Sequence, residues 1–361
     1  MKAISRKVIT AIIIAAICIS TINLLMVRKN FSFTNKDTEK KENRIILGFS
    51  QIGSESAWRS RNTQSIFEAA EENDIQILFK DAQQKQENQL KAIRSFIVYQ
   101  VDVIAFVPIV EDGWDNVLED AKDAGIPVIL VDRHINADPS LYTAYIGENG
   151  IEEGKKAAEF ICSKFKKPGQ YTPGKTGSKI SDKKEINILE ISGTSNSSVT
   201  KERAGGFRQV LKDNKGFNIL CSQDGDFLRS RGKEITENLI KSSLNDKAFK
   251  TDGLYWNGIK IDAVYSHNDS MTLGLLDTIK NYGINLESTV IVSIDGEQLC
   301  IDALKEGKLN CVVECNPNLG PMLMELVKKI SVNEAIQKNS YIEESIFTEN
   351  DDFSLYTPRG Y

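Results

Sequence analysis

The chain has 361 residues, more than one ordinary domain of about 150 residues, and this length predicts about two domains. Hydrophobic residues make up 41% and charged residues 26%, which excludes a disordered chain and indicates a globular protein with a core. The formal net charge is only −5, without long blocks of one sign. A nucleic-acid partner is therefore not expected, because such a partner requires a clustered basic face.

The first 29 residues differ from the rest of the chain. A positively charged start precedes an uncharged apolar run at residues 8–27. This run is long enough to cross a hydrocarbon core of ~30 Å as a helix. The sequence favours a retained membrane anchor over a cleaved signal peptide, because small-x-small cleavage sites occur only inside the run. It also disfavours a lipid on Cys18, because the preceding Ile17 is bulky where a small residue is needed. Each alternative places the later residues outside the cytoplasm, with residues 30–43 as a flexible tether.

From residue 44 onward, short apolar runs alternate with amphipathic stretches. The runs predicted to be strands are IILGFS (45–50), IQILF (75–79), VDVIAFV (101–107), PVILVD (127–132), INILEIS (186–192), FNILCS (217–222), IDAVYS (261–266), TVIVSID (289–295) and LNCVVE (309–314). Strand–helix alternation implies βαβ units with parallel strands. Nine strands exceed an ordinary sheet of about five or six, so the sequence favours an α/β protein with two lobes.

Two stretches interrupt this alternation. Residues 166–185 are rich in Gly, Ser and Lys and are predicted to form a surface loop. This loop contains GQYTPGKT, which matches a phosphate-binding loop in its letters, but it follows a helix and contains Pro173, so we interpret the match as chance. Residues 249–260 are predicted to form a second insertion, built around a β-turn.

Metal, cofactor and enzyme chemistry are not expected. The chain has six cysteines without a Cys-x-x-Cys pair and only two histidines, His134 and His267, which leaves few ligands for a metal site. No serine lies in a G-x-S-x-G elbow, so His267 has no predicted nucleophile to activate. The acidic residues that a glycosidase would need follow different strands, which suits hydrogen bonding better than catalysis.

Polar and aromatic side chains follow the predicted carboxyl ends of the strands, where open α/β sheets bind their ligands. They are carboxylates, arginines, amides and aromatics. This set suits a sugar, because each hydroxyl both donates and accepts: carboxylates take the donated proton, and arginines supply two fixed donors. An aromatic face covers the C–H side of a sugar ring. The sequence therefore predicts a sugar-binding protein without enzymatic activity.

Three of the candidates have plainer alternatives. Trp58 also fits an ordinary core aromatic residue. Asp132 and Arg133 also fit an ion pair on the surface. Asn268 also fits a helix cap with no other role. These alternatives stay open at the level of sequence.

Six segments together resemble a known family. They are ILGFSQIGSESAWR, FKDAQQKQENQLKAIRSFI, IPVILVDR, SQDGDFLRSRGKE, YSHNDSMTLG and SIDGEQ. They are similar to the periplasmic sugar-binding proteins of ABC transporters, of the ribose/LacI-like type I family, and above all to its galactofuranose-binding members. The similarity runs from about residue 45 to the final Gly-Tyr. The 166–185 and 249–260 insertions depart from the family pattern.

The resemblance implies a type I periplasmic binding protein, with two Rossmann-like lobes that contain parallel sheets and are joined by a three-strand hinge. The expected N-terminal lobe is 44–148 plus 316–340, and the expected C-terminal lobe is 149–315 plus 341–361. The residues expected to bind the sugar are Ser54, Glu55, Trp58, Arg59, Asp132, Arg133, Asn149, Asn196, Arg203, Asp226, Phe227, Asn268, Asp295 and Glu314.

The resemblance also implies a function. The expected ligand is a galactofuranose- or galactose-like aldose, captured by hinge closure and delivered to an ABC permease. The alternative is a sugar-sensing subunit that reports to a membrane signalling kinase. The protein is expected to be a monomer, and its location is expected to be outside the cytoplasm, tethered to the membrane or secreted.

Overall fold

The structure is a computed structural model that describes residues 44–166, 185–244 and 251–361. All elements below belong to the compact unit Ile46–Tyr361. The predicted anchor at 1–29, the predicted tether at 30–43 and nearly all of the predicted loop 166–185 lie outside the described residues. Within these described ranges, none of the helices has the length and apolar character that a membrane span requires.

Strands and helices alternate along most of the described chain. In chain order they are β1 (Ile46–Gln51), α1 (Ala57–Glu72), β2 (Gln76–Asp81), α2 (Gln86–Val98), β3 (Val103–Phe106), α3 (Asp115–Asp123), β4 (Val128–Val131), β5 (Ala144–Gly147), α4 (Gly150–Lys166), β6 (Ile186–Ser192), α5 (Ser198–Lys212), β7 (Phe217–Asp224), α6 (Arg229–Leu244), β8 (Tyr255–Trp256), β9 (Ile259–Lys260), β10 (Ala263–Ser266), α7 (Asp269–Tyr282), β11 (Val290–Asp295), α8 (Gln298–Lys305), β12 (Cys311–Glu314), α9 (Gly320–Ser331), β13 (Asn339–Tyr341) and β14 (Ile346–Thr348). Short 3-10 turns occur at Pro139–Leu141 and Phe353–Leu355.

The strands form two larger sheets, one in each lobe. The first has the order β13-β5-β4-β3-β1-β2, and its strands pair in parallel. The second has the order β14-β12-β11-β10-β6-β7, and only its edge strand β14 pairs antiparallel. All nine predicted strands are present. The predicted fold class, an α/β protein with two parallel-sheet lobes, is therefore confirmed.

The chain passes between the two lobes at three places in its described part. It leaves the first sheet after β5, returns after β12 and leaves again between β13 and β14. Helix α4 accordingly packs on the second sheet and helix α9 on the first lobe. The predicted lobe boundaries at 148/149, 315/316 and 340/341 remain our proposal for where one lobe ends and the other begins.

The insertion predicted at 249–260 contains a β-hairpin. Strands β8 and β9 pair antiparallel, with Trp256 opposite Ile259. Between them, Asn257 has φ 49° and Gly258 has φ 78°. Positive φ at both central residues is the signature of a type I′ turn, which Asn-Gly favours. The predicted β-turn excursion is therefore confirmed for residues 255–260.

Each lobe has its own core, and one tryptophan connects them. The first core packs around Phe106 and Trp114, both fully buried. The second lobe buries one cluster on each face of its sheet. Trp58, from the first turn of α1 in the first lobe, packs into the second-lobe cluster that contains Tyr265 and Cys315. The two lobes are therefore in direct contact beside the hinge.

Candidate functional site

A cavity lies between the two lobes, at the carboxyl ends of their strands. The space measures about 330 Å3, including its opening to solvent. Its lining consists of Glu55, Ser56, Trp58, Arg59, Asp132, Arg133, Val199, Arg203, Phe227, Asn268, Asp295 and Cys315. This is the edge where doubly wound α/β sheets bind ligands, because the strand order reverses direction there.

The first turn of α1 and the end of β4 supply the first-lobe side of the cavity. Ser56 caps α1, and its Oγ accepts a hydrogen bond from the Arg59 backbone N–H at 3.1 Å. This cap fixes the start of the helix, so Arg59 projects towards β4. Asp132 follows β4 with φ 66°, a left-handed conformation that is costly for a residue other than glycine. Such backbone strain is often found at functional sites.

Arg59, Glu55, Asp132 and Arg133 form a buried charge chain. Arg59 Nε is 2.9 Å from Glu55 Oε1, and Arg59 Nη2 is 2.6 Å from Asp132 Oδ2. Arg133 Nε is 3.8 Å from Asp132 Oδ2, beyond hydrogen-bonding distance. Burial by itself raises the pKa of Asp132, but the charges of Arg59 and Arg133 bring the pKa below its ordinary value. Asp132 is therefore held as a carboxylate.

Arg203 is the central cation of the second-lobe side. Its Nε is 2.7 Å from Glu153 Oε2 and its Nη2 is 3.1 Å from Glu153 Oε1, a two-point ion pair. Its Nη1 donates to the His267 carbonyl at 2.6 Å, and Asp295 Oδ1 lies 3.9 Å from Nη2. Burial raises the pKa of Asp295 well above its ordinary value, against the opposing charge of Arg203. Glu153 and the His267 carbonyl therefore hold the Arg203 guanidinium in place, close to Asp295 in the cavity lining.

Two aromatic residues complete the walls. Phe227 has φ 60° and lies between two guanidinium groups, with the Arg133 Cζ 5.6 Å and the Arg203 Cζ 5.9 Å from its ring centroid. The Trp58 indole N–H donates to the Cys315 carbonyl at 2.6 Å, which leaves the tryptophan ring as an apolar surface. The cavity therefore offers both apolar faces and fixed charges.

Two buried donors in the cavity have no acceptor among the residues that the structure describes. They are Arg59 Nη1 and Arg133 Nε, on side chains that are 4% and 5% exposed. A buried N–H without an acceptor destabilises the fold by about 1–3 kcal/mol, and the cost is larger for a charged group. These two donors therefore indicate a ligand that brings hydrogen-bond acceptors.

The lobes also contact one another outside the cavity. The His134 backbone N–H donates to Ser198 Oγ at 2.8 Å, and His134 Nδ1 lies 2.8 Å from Glu202 Oε1. The Glu111 backbone N–H donates to the Asn196 carbonyl at 3.2 Å. The Lys201 ammonium forms an ion pair with the Glu111 carboxylate. The structure is therefore a closed form, in which the first lobe touches the N-terminal turn of α5.

Nine of the residues predicted to bind the sugar line this cavity. They are Glu55, Trp58, Arg59, Asp132, Arg133, Arg203, Phe227, Asn268 and Asp295. Asp132 and Arg133 are 5% and 4% exposed, so the alternative of a surface ion pair is wrong. Asn268 does cap α7 through Met271 N at 2.9 Å, and its Nδ2 donates to the Phe227 carbonyl at 3.1 Å. Its amide therefore positions the neighbouring aromatic wall.

Five predicted residues do not line the cavity. Ser54 is exposed, and Asp226 is half-buried next to Asp224. Asn149 accepts from the Glu152 backbone N–H at 3.2 Å, at the start of α4. Asn196 is exposed and contributes its carbonyl to the lobe contact described above. Each of these four residues therefore contacts solvent or a nearby residue of the chain, and none of them contributes to the cavity lining.

Glu314 is the fifth residue outside the cavity lining, although it ends a strand beside Asp295. Its Oε1 accepts from Arg359 Nη2 at 2.5 Å and its Oε2 accepts from the Ser345 backbone N–H at 2.8 Å. Both carboxylate oxygens of Glu314 therefore already accept hydrogen bonds from other residues of the chain. Contact between Glu314 and the ligand stays a prediction, and these two internal hydrogen bonds disfavour it.

Sequence reasoning missed Ser56, Val199 and Cys315 in the lining. Cys315 directly follows a strand, as several of the predicted residues do, but its side chain is neither charged nor aromatic. Ser56 and Val199 lie at helix starts, for which the sequence offered only a capping signal. Glu153, the partner that fixes Arg203, gave no signal because it lies inside a helix.

One group of side chains in the described part of the chain has the composition of a cation site. Ligand atoms of Glu153, Cys315 and Glu344 lie within 4.8 Å of one another. However, Arg203 already takes both oxygens of Glu153, and burial raises the pKa of the Cys315 thiol well above its ordinary value. The charge of Glu153 is therefore compensated by Arg203, and these three residues do not form a suitable cation site.

Residues 47–335 match the family of the periplasmic binding protein domain. The chain belongs to this family. Membership indicates an extracytoplasmic binding protein, as the sequence predicted. The galactofuranose-binding protein YtfQ of Escherichia coli (strain K12) is 37% identical to this binding protein over 287 residues, which are 79% of this chain and 81% of YtfQ.

Solved structures with similar sequences share the fold. A Mycobacterium smegmatis protein in complex with β-D-fucofuranose has a TM-score of 0.74 and 38% identity, covering 84% of this chain and 91% of that one. The arabinose ABC transporter component of Shewanella sp. ANA-3, bound to α- and β-L-arabinofuranose, has a TM-score of 0.72 and 35% identity, covering 84% and 92%. The matched family, YtfQ and the Shewanella component are all named as binding proteins, so this chain is a binding protein and not an enzyme, as predicted.

Proposed function

We propose that the protein captures one galactofuranose- or galactose-like aldose between its lobes and delivers it to an ABC transporter. The observation that carries this proposal is the pair of buried, unpaired donors, Arg59 Nη1 and Arg133 Nε, in the lining of the interlobe cavity. A sugar hydroxyl or ring oxygen is an acceptor of the right size for each.

The charge and size of the cavity support a single neutral ring. Among the described residues that line it, three are arginines and three carry carboxyl groups, and each arginine lies within 4 Å of one of these carboxyl groups, so the cavity does not present a field of one sign. The lining residues come from both lobes and surround one compact space, which suits a monosaccharide better than an oligosaccharide. Phe227 and Trp58 offer apolar faces for the C–H side of the ring.

The relatives support the furanose form. YtfQ is named for galactofuranose, and the two solved relatives hold furanose sugars, β-D-fucofuranose and L-arabinofuranose. A five-membered ring presents its hydroxyls at other angles than a pyranose, so fixed arginine forks distinguish the two forms. We further propose that the protein acts as a monomer, tethered by its N-terminal segment to the membrane in which the permease lies. A sensor kinase as the partner stays the alternative prediction.

A calorimetric panel tests the ligand. Purified protein is titrated with methyl β-D-galactofuranoside and methyl β-D-galactopyranoside, each of which is locked in one ring form, and with L-arabinose and D-ribose. We expect saturable binding with the galactofuranoside the tightest and ribose the weakest. Absence of measurable heat with every sugar of the panel would contradict the proposed function. Equal affinity for all four would contradict the furanose assignment while leaving sugar binding in place.

A further inference from the structure

Residues Arg359–Tyr361 lie against the loop that carries Asp295 into the cavity. This loop consists of Asp295, the last residue of β11, followed by Gly296 and Glu297, and it leads to α8. We propose that Arg359 is a positioning residue for the binding site, which holds this loop in the conformation that presents Asp295 to the ligand. Its effect on sugar affinity rests on the proposed function, whereas its effect on the loop does not.

The backbone of the loop is strained. Asp295 has φ 132° and Gly296 has φ 98°, both in the region that side chains disfavour. A residue other than glycine in such a conformation persists only where its surroundings hold it there. The contacts of the loop must therefore be strong enough to oppose relaxation.

Almost every backbone group of the loop has a protein partner that fixes it. The Gly296 and Glu297 N–H groups both donate to Asp269 Oδ2, at 2.8 Å and 2.7 Å. The Asp295 carbonyl accepts from the Cys315 N–H at 2.9 Å. These bonds hold the N–H side of the turn and its start. They leave the outer side, the Gly296 carbonyl, to be held by another element.

Arg359 holds that outer side. Its Nε donates to the Gly296 carbonyl at 3.1 Å. A Cβ on Gly296 would come within 3.2 Å of Arg359 Nη2, so the guanidinium packs directly on the glycine. Because the donor is charged, this bond is stronger than an ordinary backbone hydrogen bond. Arg359 itself does not line the cavity, so it acts on the ligand only through the loop.

Arg359 is itself fixed in place by the second lobe. Its Nη2 donates to Glu314 Oε1 at 2.5 Å and to Tyr361 Oη at 2.6 Å, and its Cζ lies 5.2 Å from the centroid of the Phe347 ring. Its backbone N–H donates to Gln298 Oε1 at 2.8 Å. The side chain is only 19% exposed. A guanidinium with this many partners is preorganised, and no ordering is needed when it meets the loop.

Tyr361 adds a second connection to the same region. Its carbonyl accepts from the Gln298 N–H at 2.7 Å, at the first turn of α8. Its ring packs against the core cluster that contains Trp58 and Cys315, two residues of the cavity lining. The segment Arg359–Tyr361 therefore braces both the loop and the wall beside it.

The experiment compares Arg359→Gln and Arg359→Lys with wild type in the full chain. The control is Arg94→Gln, which removes an exposed arginine 3.6 Å from Asp120 in the first lobe. Hydrogen exchange, measured by mass spectrometry on peptides that cover residues 294–298, reports the loop without any ligand. Calorimetry with L-arabinose and D-galactose reports binding, and thermal unfolding reports the fold.

We expect Arg359→Gln to accelerate exchange in the 294–298 peptides by about tenfold or more and to weaken sugar binding by about tenfold, because a charged hydrogen bond is lost. Arg359→Lys should recover part of both effects, since lysine restores one donor but not the fork. The control should leave exchange and binding at the wild-type values.

Unchanged exchange in the 294–298 peptides would overturn the proposal. Faster exchange with unchanged sugar affinity would also overturn it, because the loop would then not position the site. If wild type binds neither sugar, the ligand proposal fails by itself, and the exchange data alone decide the role of Arg359 in the loop. Uniform acceleration over the whole chain would indicate a folding defect and would likewise overturn a specific role.

Discussion

Arg133 combines deep burial with an incomplete set of partners. Its Nη1 donates to the Ile109 carbonyl at 3.2 Å, while its Nε has no acceptor within the part of the chain that the structure describes. Burial lowers the pKa of Arg133, and the charge of Asp132 offsets this only in part. The Arg133 guanidinium therefore adds little to the stability of the ligand-free protein. Its main contribution is expected to be to the affinity for the ligand.

Arg133→Met should separate binding from folding. We expect sugar affinity to fall by roughly 100-fold, because hydrogen bonds to a charged group contribute ~1.5–3 kcal/mol each. The melting temperature should stay within a few degrees of wild type, since methionine fills similar space beside the Phe227 ring and removes an underpaired buried charge. Calorimetry measures the sugar affinity, and thermal unfolding measures the melting temperature.

Arg94→Met is the matched control for this variant, because Arg94 is exposed and lies in the same lobe. It should leave both affinity and melting temperature unchanged. A large loss of stability in Arg133→Met with normal affinity would mean that Arg133 serves the fold and not the ligand.

At the scale of elements, the N-terminal turn of α5 forms the contact that closes the lobes outside the cavity. Lys201 pairs with Glu111, and Ser198 and Glu202 both bind His134. None of these side chains lines the cavity. They act on the closed form as a whole and should therefore affect every ligand in the same way.

Lys201→Met should weaken binding by about two- to fivefold, because partly exposed ion pairs contribute ~0.2–1 kcal/mol. The factor should be the same for each sugar of the panel, and it should appear in the dissociation rate, since the contact forms only on closure. Stopped-flow fluorescence is a suitable measurement, as Trp58 lies at the lobe junction.

Lys329→Met, which removes a comparable exposed pair with Glu325 on α9, should leave the dissociation rate unchanged. A change of sugar preference in Lys201→Met would contradict the assignment, because a contact outside the cavity has no means of distinguishing ligands.

At the scale of the whole molecule, the three lobe crossings bring acidic residues together. Glu344 lies in the third crossing and Glu153 at the start of α4, beside Arg203. Burial, with the charge of Glu153, raises the pKa of Glu344 from 4.5 to about 9, and Arg203 opposes this only in part. The folded protein thus favours the protonated carboxyl of Glu344.

The sign of the pH effect follows from this shift. The contribution of Glu344 to stability is complete below its unfolded pKa of 4.5 and is lost as the pH rises towards the folded value of about 9. Glu344→Gln, which cannot ionise, should therefore lose less stability between pH 5 and pH 9. We expect its melting temperature at pH 9 to exceed that of wild type by at least about 3 °C.

Glu343→Gln serves as the control, because Glu343 is an exposed neighbour in the same crossing. Its melting curve should follow that of wild type over the whole pH range. Parallel curves for Glu344→Gln and wild type would show that Glu344 is ionised in the folded protein and would refute the prediction.

The periodic part of the fold was predictable from sequence, and three of its strands were not. All nine predicted strands exist because buried parallel strands need continuous apolar runs, which the sequence shows directly. Strands β5 (AYIG), β13 (NSY) and β14 (IFT) do not lie in such a run. Their pairing depends on a sheet edge that exists only once the other strands have assembled.

The sequence by itself determined the α/β class and the strand ends where polar residues gather, because apolar patterning and chain order are local properties. Tertiary structure decided which of those residues face the cavity. Asp295 and Glu314 end neighbouring strands in the same register, yet only Asp295 lines the cavity, while Glu314 binds Arg359. No local pattern distinguishes the two, because the partner that withdraws Glu314 lies 45 residues further along the chain.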